Sequence, residues 1–113
     1  MIAECVPEGR LDARQVARLR HAMLAALAHG CAGIIISGSE LRYDGVADVA
    51  HLAALLDEIQ VAYPWVPVWL CHLAPDFLAA IHLAGLGAGW HIAPDSARAR
   101  EALATASDPS SSP

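Results

Sequence analysis

The sequence predicts one α/β domain built on a mostly parallel sheet of four strands, or slightly more, with about four helices. Segments with apolar residues at helical spacing alternate with short apolar runs of strand length, which is the pattern of a parallel sheet with helical crossovers. One run, Ile34-Ile35-Ile36, is continuously β-branched, as is typical of a strand buried on both faces. The length of 113 residues leaves room for a single domain.

The first half of the chain predicts the order strand, helix, strand, helix. Met1–Val6 is predicted as a strand, and Asp12 is a good N-cap for the helix that follows, because its carboxylate can accept a backbone N–H. Ala32–Ile36 is predicted as a buried strand, and the loop Ser37–Asp44 leads to a second helix that begins near Gly45. The predicted buried faces of these two helices are Val16, Leu19, Met23 and Leu27, then Val46, Val49, Leu52, Leu56 and Ile59.

The second half repeats this order. Val66–His72 is predicted as a buried strand, and a third helix opens at Ala74-Pro75-Asp76, with proline at the favoured first position. Trp90–Ile92 is predicted as the last strand, and Pro94-Asp95-Ser96 opens the last helix. We therefore expect a domain over residues 1–106 and a disordered, serine- and proline-rich tail over residues 107–113.

Charge and hydropathy exclude several classes of protein. The net charge is −5, from twelve acidic residues against seven arginines and no lysine, so the chain has no basic excess for binding nucleic acid. No window of about 20 residues is apolar throughout, and no basic segment followed by an apolar run opens the chain. We expect a cytoplasmic protein without direct membrane insertion. In that setting Cys5, Cys31 and Cys71, which form no C-x-x-C, are expected to be buried thiols.

No pattern of catalytic or metal-binding residues is present. The six histidines never stand three or four residues apart, so no helix carries a metal-binding pair. The glycines of Gly85–Gly89 follow a predicted helix and precede a strand, the reverse of a phosphate-binding loop, so a helix end and a turn are expected there. Ser37 and Ser39 follow a core strand, but without the G-x-S-x-G context of a nucleophile. We predict no enzyme and no cofactor.

Several segments in order resemble the STAS domain, the fold of anti-sigma-factor antagonists and of the cytoplasmic domains of sulfate transporters. Gly9-Arg10-Leu11-Asp12 resembles the family's G-x-L-D before its first helix, and Gly33–Ile36 its central strand. Ala74-Pro75-Asp76-Phe77 and Ile92-Ala93-Pro94-Asp95-Ser96 resemble its third helix start and its closing turn. The resemblance implies a non-catalytic, protein-binding regulatory module of bacterial signal transduction and transcription regulation. It implies as partner an anti-sigma kinase, an ABC transporter assembly or a signalling scaffold.

The chain departs from the family at its phosphorylation motif, D-S-[ST]-G at the start of the second helix. Either Arg42-Tyr43-Asp44-Gly45 or Asp44-Gly45-Val46-Ala47 occupies that position, and neither has a serine or threonine there. We therefore expect no phosphorylation of this loop, and a permanent negative charge from Asp44 in its place. Asp44 and Asp48 are four residues apart and are predicted to share one exposed face. The predicted partner-binding residues are Ser37, Ser39, Tyr43, Asp44, Gly45 and Asp48.

Two alternatives stay open at this point. The first is a small-molecule or lipid sensor of the same fold, which needs a pocket beside Trp65, Trp69 and Trp90. The second is a crotonase-like enzyme fragment, since Ile34–Val49 resembles the oxyanion-hole segment of crotonases and Ala84–Gly89 their second glycine-rich stretch. Those enzymes need roughly twice this chain length, and the spacing between the two segments differs here.

Overall fold

A parallel four-stranded sheet with helices on both faces forms the domain. The computed structural model describes residues 1–85 and 90–107. The strands are β1 (Ile2–Cys5), β2 (Gly9–Arg10), β3 (Gly33–Ser37), β4 (Leu41–Arg42), β5 (Val68–Cys71) and β6 (His91–Ala93). The helices are α1 (Ala13–Ala28), α2 (Val46–Ala62), α3 (Pro75–Leu83) and α4 (Ser96–Ser107).

The main sheet has the strand order β1-β3-β5-β6, and each neighbouring pair is parallel. The predicted order of strands and helices and the mostly parallel sheet are therefore confirmed. The β-branched run lies at the centre, where Ile35 stands between Glu4 of β1 and Trp69 of β5. Because the strands are parallel, their carboxyl ends all lie at one edge of the sheet, and the loops that follow β3 and β5 meet there.

The two faces of the sheet bury two different cores. Ile34 and Ile36 point to the larger core, which α1, α2 and α3 cover. Ile35 points to the opposite face, because side chains alternate along a strand, and packs in a smaller core that α4 closes with Ala99 and Leu103. The three consecutive isoleucines of β3 thus pack alternately into the larger and the smaller core.

Local sequence explains where the helices begin. The carboxylate of Asp12 accepts the backbone N–H of Gln15 at 2.9 Å, so Asp12 is the N-cap of α1 as predicted. Pro75 occupies the first turn of α3, where its missing N–H costs nothing. Gly45 precedes α2 with a φ of +107°, a left-handed value that side chains rarely adopt.

Three details differ from the sequence prediction. The segment Ser37–Asp44 is not loop throughout, because β4 within it pairs in parallel with β2 to form a separate two-stranded sheet. Val46 is 59 % exposed and not part of the buried face of α2, since it lies in the first turn beyond the edge of the core. The last helix continues to Ser107, one residue into the predicted tail.

Some predictions fall outside the described residues. They are the turn over residues 86–89 and the tail over residues 108–113. Within the described part, Cys31 and Cys71 are buried as predicted and Cys5 is half-buried. No helix among the described residues is long and apolar enough to cross a membrane.

Candidate functional site

The segment Ser37–Asp44 is held against the start of α1 by backbone hydrogen bonds. The N–H of Gly9 donates to the carbonyl oxygen of Glu40 at 3.0 Å, and the N–H of Leu11 donates to that of Arg42 at 2.7 Å. The Leu11 side chain is fully buried beside them. The segment that follows β3 therefore presents a fixed surface and not a free loop.

Asp48, in the first turn of α2, is buried beneath this segment. Its side chain is 2 % exposed and accepts three hydrogen bonds: from Arg10 Nε at 3.1 Å, from Arg10 Nη2 at 3.4 Å and from the backbone N–H of Asp44 at 2.7 Å. The hydrogen bond from Arg10 is the main reason why the pKa of Asp48 lies below its usual value, against the opposing effect of burial. Asp48 thus joins β2, the loop and α2.

The prediction that Asp48 shares an exposed face with Asp44 is wrong. Asp48 precedes Leu52, Leu55 and Ile59 at helical spacing, so it continues the buried stripe of α2. The side chain of Asp44 is 80 % exposed, as predicted, and its carboxylate lies 4.0 Å from Arg10 Nη2. Only Asp44 of this pair can meet another molecule.

The N-terminus of α2 carries no side-chain cap. Gly45 is the N-cap residue and has no side chain to accept a hydrogen bond from the first turn. The N-terminal end of a helix has a partial positive charge, which stabilises an acidic side chain nearby. The exposed Asp44 carboxylate therefore belongs to the residue that precedes an uncapped helix start, and it lies 4.0 Å from one half-exposed arginine.

Tyr43 joins the same segment to α3. Its hydroxyl donates to the carbonyl oxygen of Asp76 at 2.8 Å, and its ring meets that of Phe77 edge-on at a centroid distance of 4.8 Å. Desolvation, with a smaller contribution from Asp76, raises the pKa of the Tyr43 phenol. A cavity of about 250 Å³, the loop–α3 groove, lies between the two elements and is lined by Gly38, Leu41, Arg42, Tyr43, Leu73, Ala74, Asp76 and Phe77.

The two serines at the end of β3 differ in exposure. Ser37 is 3 % exposed, its hydroxyl lies 3.2 Å from that of Ser39, and it hydrogen-bonds the Cys71 thiol. Burial raises the pKa of that thiol, with the Ser37 hydrogen bond acting in the opposite direction. Ser39 is exposed. The prediction of Ser37 as a contact residue is therefore wrong, because its side chain lies beneath the surface.

Sequence reasoning missed Arg10 and Phe77 as parts of this site. Arg10 stands in the segment before the first helix, and nothing near it in sequence indicates its partner 38 residues away. A signal for it was nevertheless present, since an aspartate on the apolar stripe of a helix needs a cation or several donors. Phe77 had been assigned to the third helix without a role, and its contact with Tyr43 depends on the packing of α3.

The residues of the sensor hypothesis do not come together. Trp65 is 72 % exposed and contacts Tyr63, while Trp69 stacks on His91 at 5.0 Å on the face that α4 covers. Trp90 packs against the core on the opposite face. Among the described residues, no group of three or more histidine, cysteine, aspartate or glutamate side chains could hold a metal ion.

Comparison with known proteins identifies the fold. No protein-family model matches the chain, and no curated protein does. Seven chains of solved structures do, among them two STAS domains. One is a serine-to-glutamate variant of RsbS from Moorella thermoacetica, with a TM-score of 0.69, 19 % identity, and coverage of 91 % of this chain and 87 % of that one. The other is the anti-sigma-factor antagonist SpoIIAA in its unphosphorylated form, with a TM-score of 0.62, 16 % identity, and coverage of 91 % and 89 %. The chain has the STAS fold.

The STAS fold supports the predicted resemblance to STAS domains over the resemblance to crotonases. In this fold Ile34–Val49 runs through β3, β4 and the start of α2, and most of the second crotonase-like stretch lies in residues 86–89, outside the described residues. Each match covers 91 % of this chain, so the STAS fold extends over nearly all of its length.

Proposed function

We propose that this STAS domain is a non-catalytic, cytoplasmic regulatory module that binds a partner protein through Ser39, Tyr43, Asp44 and Gly45. The observation that carries the proposal is the exposed Asp44 carboxylate at the N-terminus of α2. The segment around it is fixed by the pairing of β2 with β4 and by the Arg10–Asp48 ion pair. A fixed surface loses little conformational entropy on binding, which favours recognition by another protein.

We propose that this surface carries a permanent negative charge. Asp44 supplies a carboxylate in the region where related domains carry a phosphorylatable serine, so binding would not depend on a kinase adding a phosphate. SpoIIAA, one of the similar structures, is an anti-sigma-factor antagonist, which supports a regulatory role. The partner would be an anti-sigma kinase, an ABC transporter assembly or a signalling scaffold, and it would present a basic surface to Asp44.

Reversing the charge of Asp44 tests the proposed surface. We expect Asp44→Lys to weaken binding of the partner at least tenfold, because it would place like charges opposite each other. The control is Asp57→Lys, which changes an exposed acid on the same helix, outside the proposed surface. Proteins retained from a host lysate by each tagged variant are compared by quantitative mass spectrometry. A protein kept by the wild type and Asp57→Lys but lost with Asp44→Lys supports the proposal, and identical sets for all three contradict it.

The loop is also expected to stay unphosphorylated. Tyr43 or Gly45 occupies the motif's serine position, Ser37 is buried, and Ser39 lies several residues upstream. Incubation of the protein with host extract and ATP should therefore leave residues 37–46 without phosphate. Intact-mass measurement followed by peptide mapping checks this, and a stoichiometric phosphate in that segment would show that the domain retains a phosphorylation switch.

A further inference from the structure

The loop–α3 groove has the size of one side chain. Its volume is about 250 Å³, below the roughly 300–1,000 Å³ of pockets that hold small molecules. Its lining is more apolar than polar, with Leu41, Leu73 and Ala74 beside the rings of Tyr43 and Phe77. These dimensions and this lining suit a single large apolar side chain better than a cofactor.

The groove is formed before anything binds. Tyr43 is fixed by its hydrogen bond to the carbonyl oxygen of Asp76 and by its edge-on contact with Phe77. The loop wall approaches so closely that a Cβ on Gly38 would lie 2.7 Å from Leu73 Cδ2. Pre-formed pockets avoid the cost of ordering loops on binding. The few residues that dominate the affinity of a protein interface usually lie in such well-packed pockets.

Exposed acidic side chains outnumber exposed arginines on the two elements that form the groove, although its lining itself holds one of each, Asp76 and Arg42. Glu40, Asp44 and Asp76 are all exposed on the two elements that form its walls, against one exposed arginine, Arg42. Arg10 lies 4.0 Å from Asp44 but also pairs with the buried Asp48, so Arg10 and Asp48 together add no net charge. The surroundings of the groove therefore have an excess of negative charge, which complements a basic segment.

We infer that the loop–α3 groove receives one leucine- or phenylalanine-sized side chain from a basic segment of the partner protein. This inference rests on the proposed function, because the groove adjoins Asp44 and shares Tyr43 with the proposed surface. It adds the chemistry of the partner: an apolar anchor residue flanked by lysine or arginine. The anchor enters the groove while the flanking cations face the surrounding carboxylates.

Filling the groove tests the inference. Ala74 lines the groove, is exposed, and has extended backbone angles of φ −63° and ψ 148°, which any L-residue adopts. Ala74→Phe should occupy the groove without changing the core, and Ala74→Leu serves as a second, smaller filling variant. Ala79→Phe is the matched control, because Ala79 is exposed on α3, the helix that Ala74 precedes, and does not line the groove. Thermal melts establish that each variant is folded.

The probe is a random peptide library selected on the wild-type protein. We expect enriched peptides to share one leucine, isoleucine, methionine or phenylalanine with flanking lysine or arginine. Their affinity, measured by calorimetry, should fall at least tenfold for Ala74→Phe and stay unchanged for Ala79→Phe. Failure to enrich such peptides, or equal affinity for the wild type and a folded groove-filling variant, would overturn the inference.

The host proteins retained in the pull-down separate this inference from the proposed function. If they are lost with Asp44→Lys but kept by Ala74→Phe, the proposed surface is correct and the groove is not the anchor site. If both variants keep them, the proposed surface itself is wrong. If both lose them while Asp57→Lys and Ala79→Phe keep them, the proposed function and the groove are both supported.

Discussion

Ile35→Asp is expected to unfold the domain. Ile35 is fully buried in the smaller core, on a strand with neighbours on both sides, and it packs there against Cys71, Ala93, Ala99 and Leu103. Burying an unpaired carboxylate costs several kcal/mol, against a total stability of about 5–15 kcal/mol for a domain of this kind. Circular dichroism during urea and thermal denaturation should show no cooperative native transition.

The control for this change is Ile35→Val. It removes one methylene from the same site and should cost only about 0.5–1.5 kcal/mol, leaving a cooperative transition at a lower midpoint. A cooperative Ile35→Asp variant with a near-native midpoint would mean that α4 does not seal this face of the sheet in solution. The comparison therefore tests the position of α4 as well as the centre of β3.

The sequence predicted the elements that extend over many residues. The isoleucine run gave the central strand because its burial on both faces leaves a continuous apolar signal. Asp12 and Pro75 gave two helix starts because capping depends on residues close in sequence. The strands β2 and β4 were not predicted, since two residues carry no periodicity and their pairing depends on segments about 30 residues apart.

The candidate site was predicted only in part. The sequence placed the segment Ser37–Asp44 correctly at the carboxyl end of the central strand and Asp44 on the surface. It did not predict that Ser37 and Asp48 are buried, because spacing along a helix or strand says which residues share a face but not which face meets the core. The apolar residues that follow Asp48 on α2 could have decided that question.

The Arg10–Asp48 pair connects stability to the proposed surface. Asp48 lies beneath the loop, and its carboxylate accepts the N–H of Asp44, the residue whose side chain faces outward. Loss of the pair therefore affects both the attachment of β2 to α2 and the position of Asp44. The contribution of this ion pair to folding can be measured on the protein alone, without knowledge of the partner protein.

Asp48→Asn is expected to lower the free energy of unfolding by about 1.5–2 kcal/mol at pH 7, because it removes the charge from two hydrogen bonds with Arg10. The figure is at the low end for charged hydrogen bonds, since Arg10 is 54 % exposed and water screens the pair from one side. Urea denaturation of both proteins at several pH values measures the difference. Asp57→Asn, an exposed acid on the same helix, should change stability by no more than about 0.5 kcal/mol.

The pH dependence of this difference identifies its cause. The pKa of Asp48 is lowered in the folded protein, so folding favours the ionised carboxylate. Its stabilisation is complete above the ordinary aspartate pKa of about 3.9, and it is lost as the pH falls from there through the lowered value. The gap between the wild type and Asp48→Asn should therefore be constant from pH 7 to about pH 5 and close in stronger acid. Arg10→Met should cost at least as much at pH 7, because it leaves the buried Asp48 carboxylate without its cation, and combining it with Asp48→Asn should cost less than the sum of the two. A gap that persists unchanged in strong acid, or two losses that add in full, would mean that Asp48 stabilises the fold without its charge on Arg10.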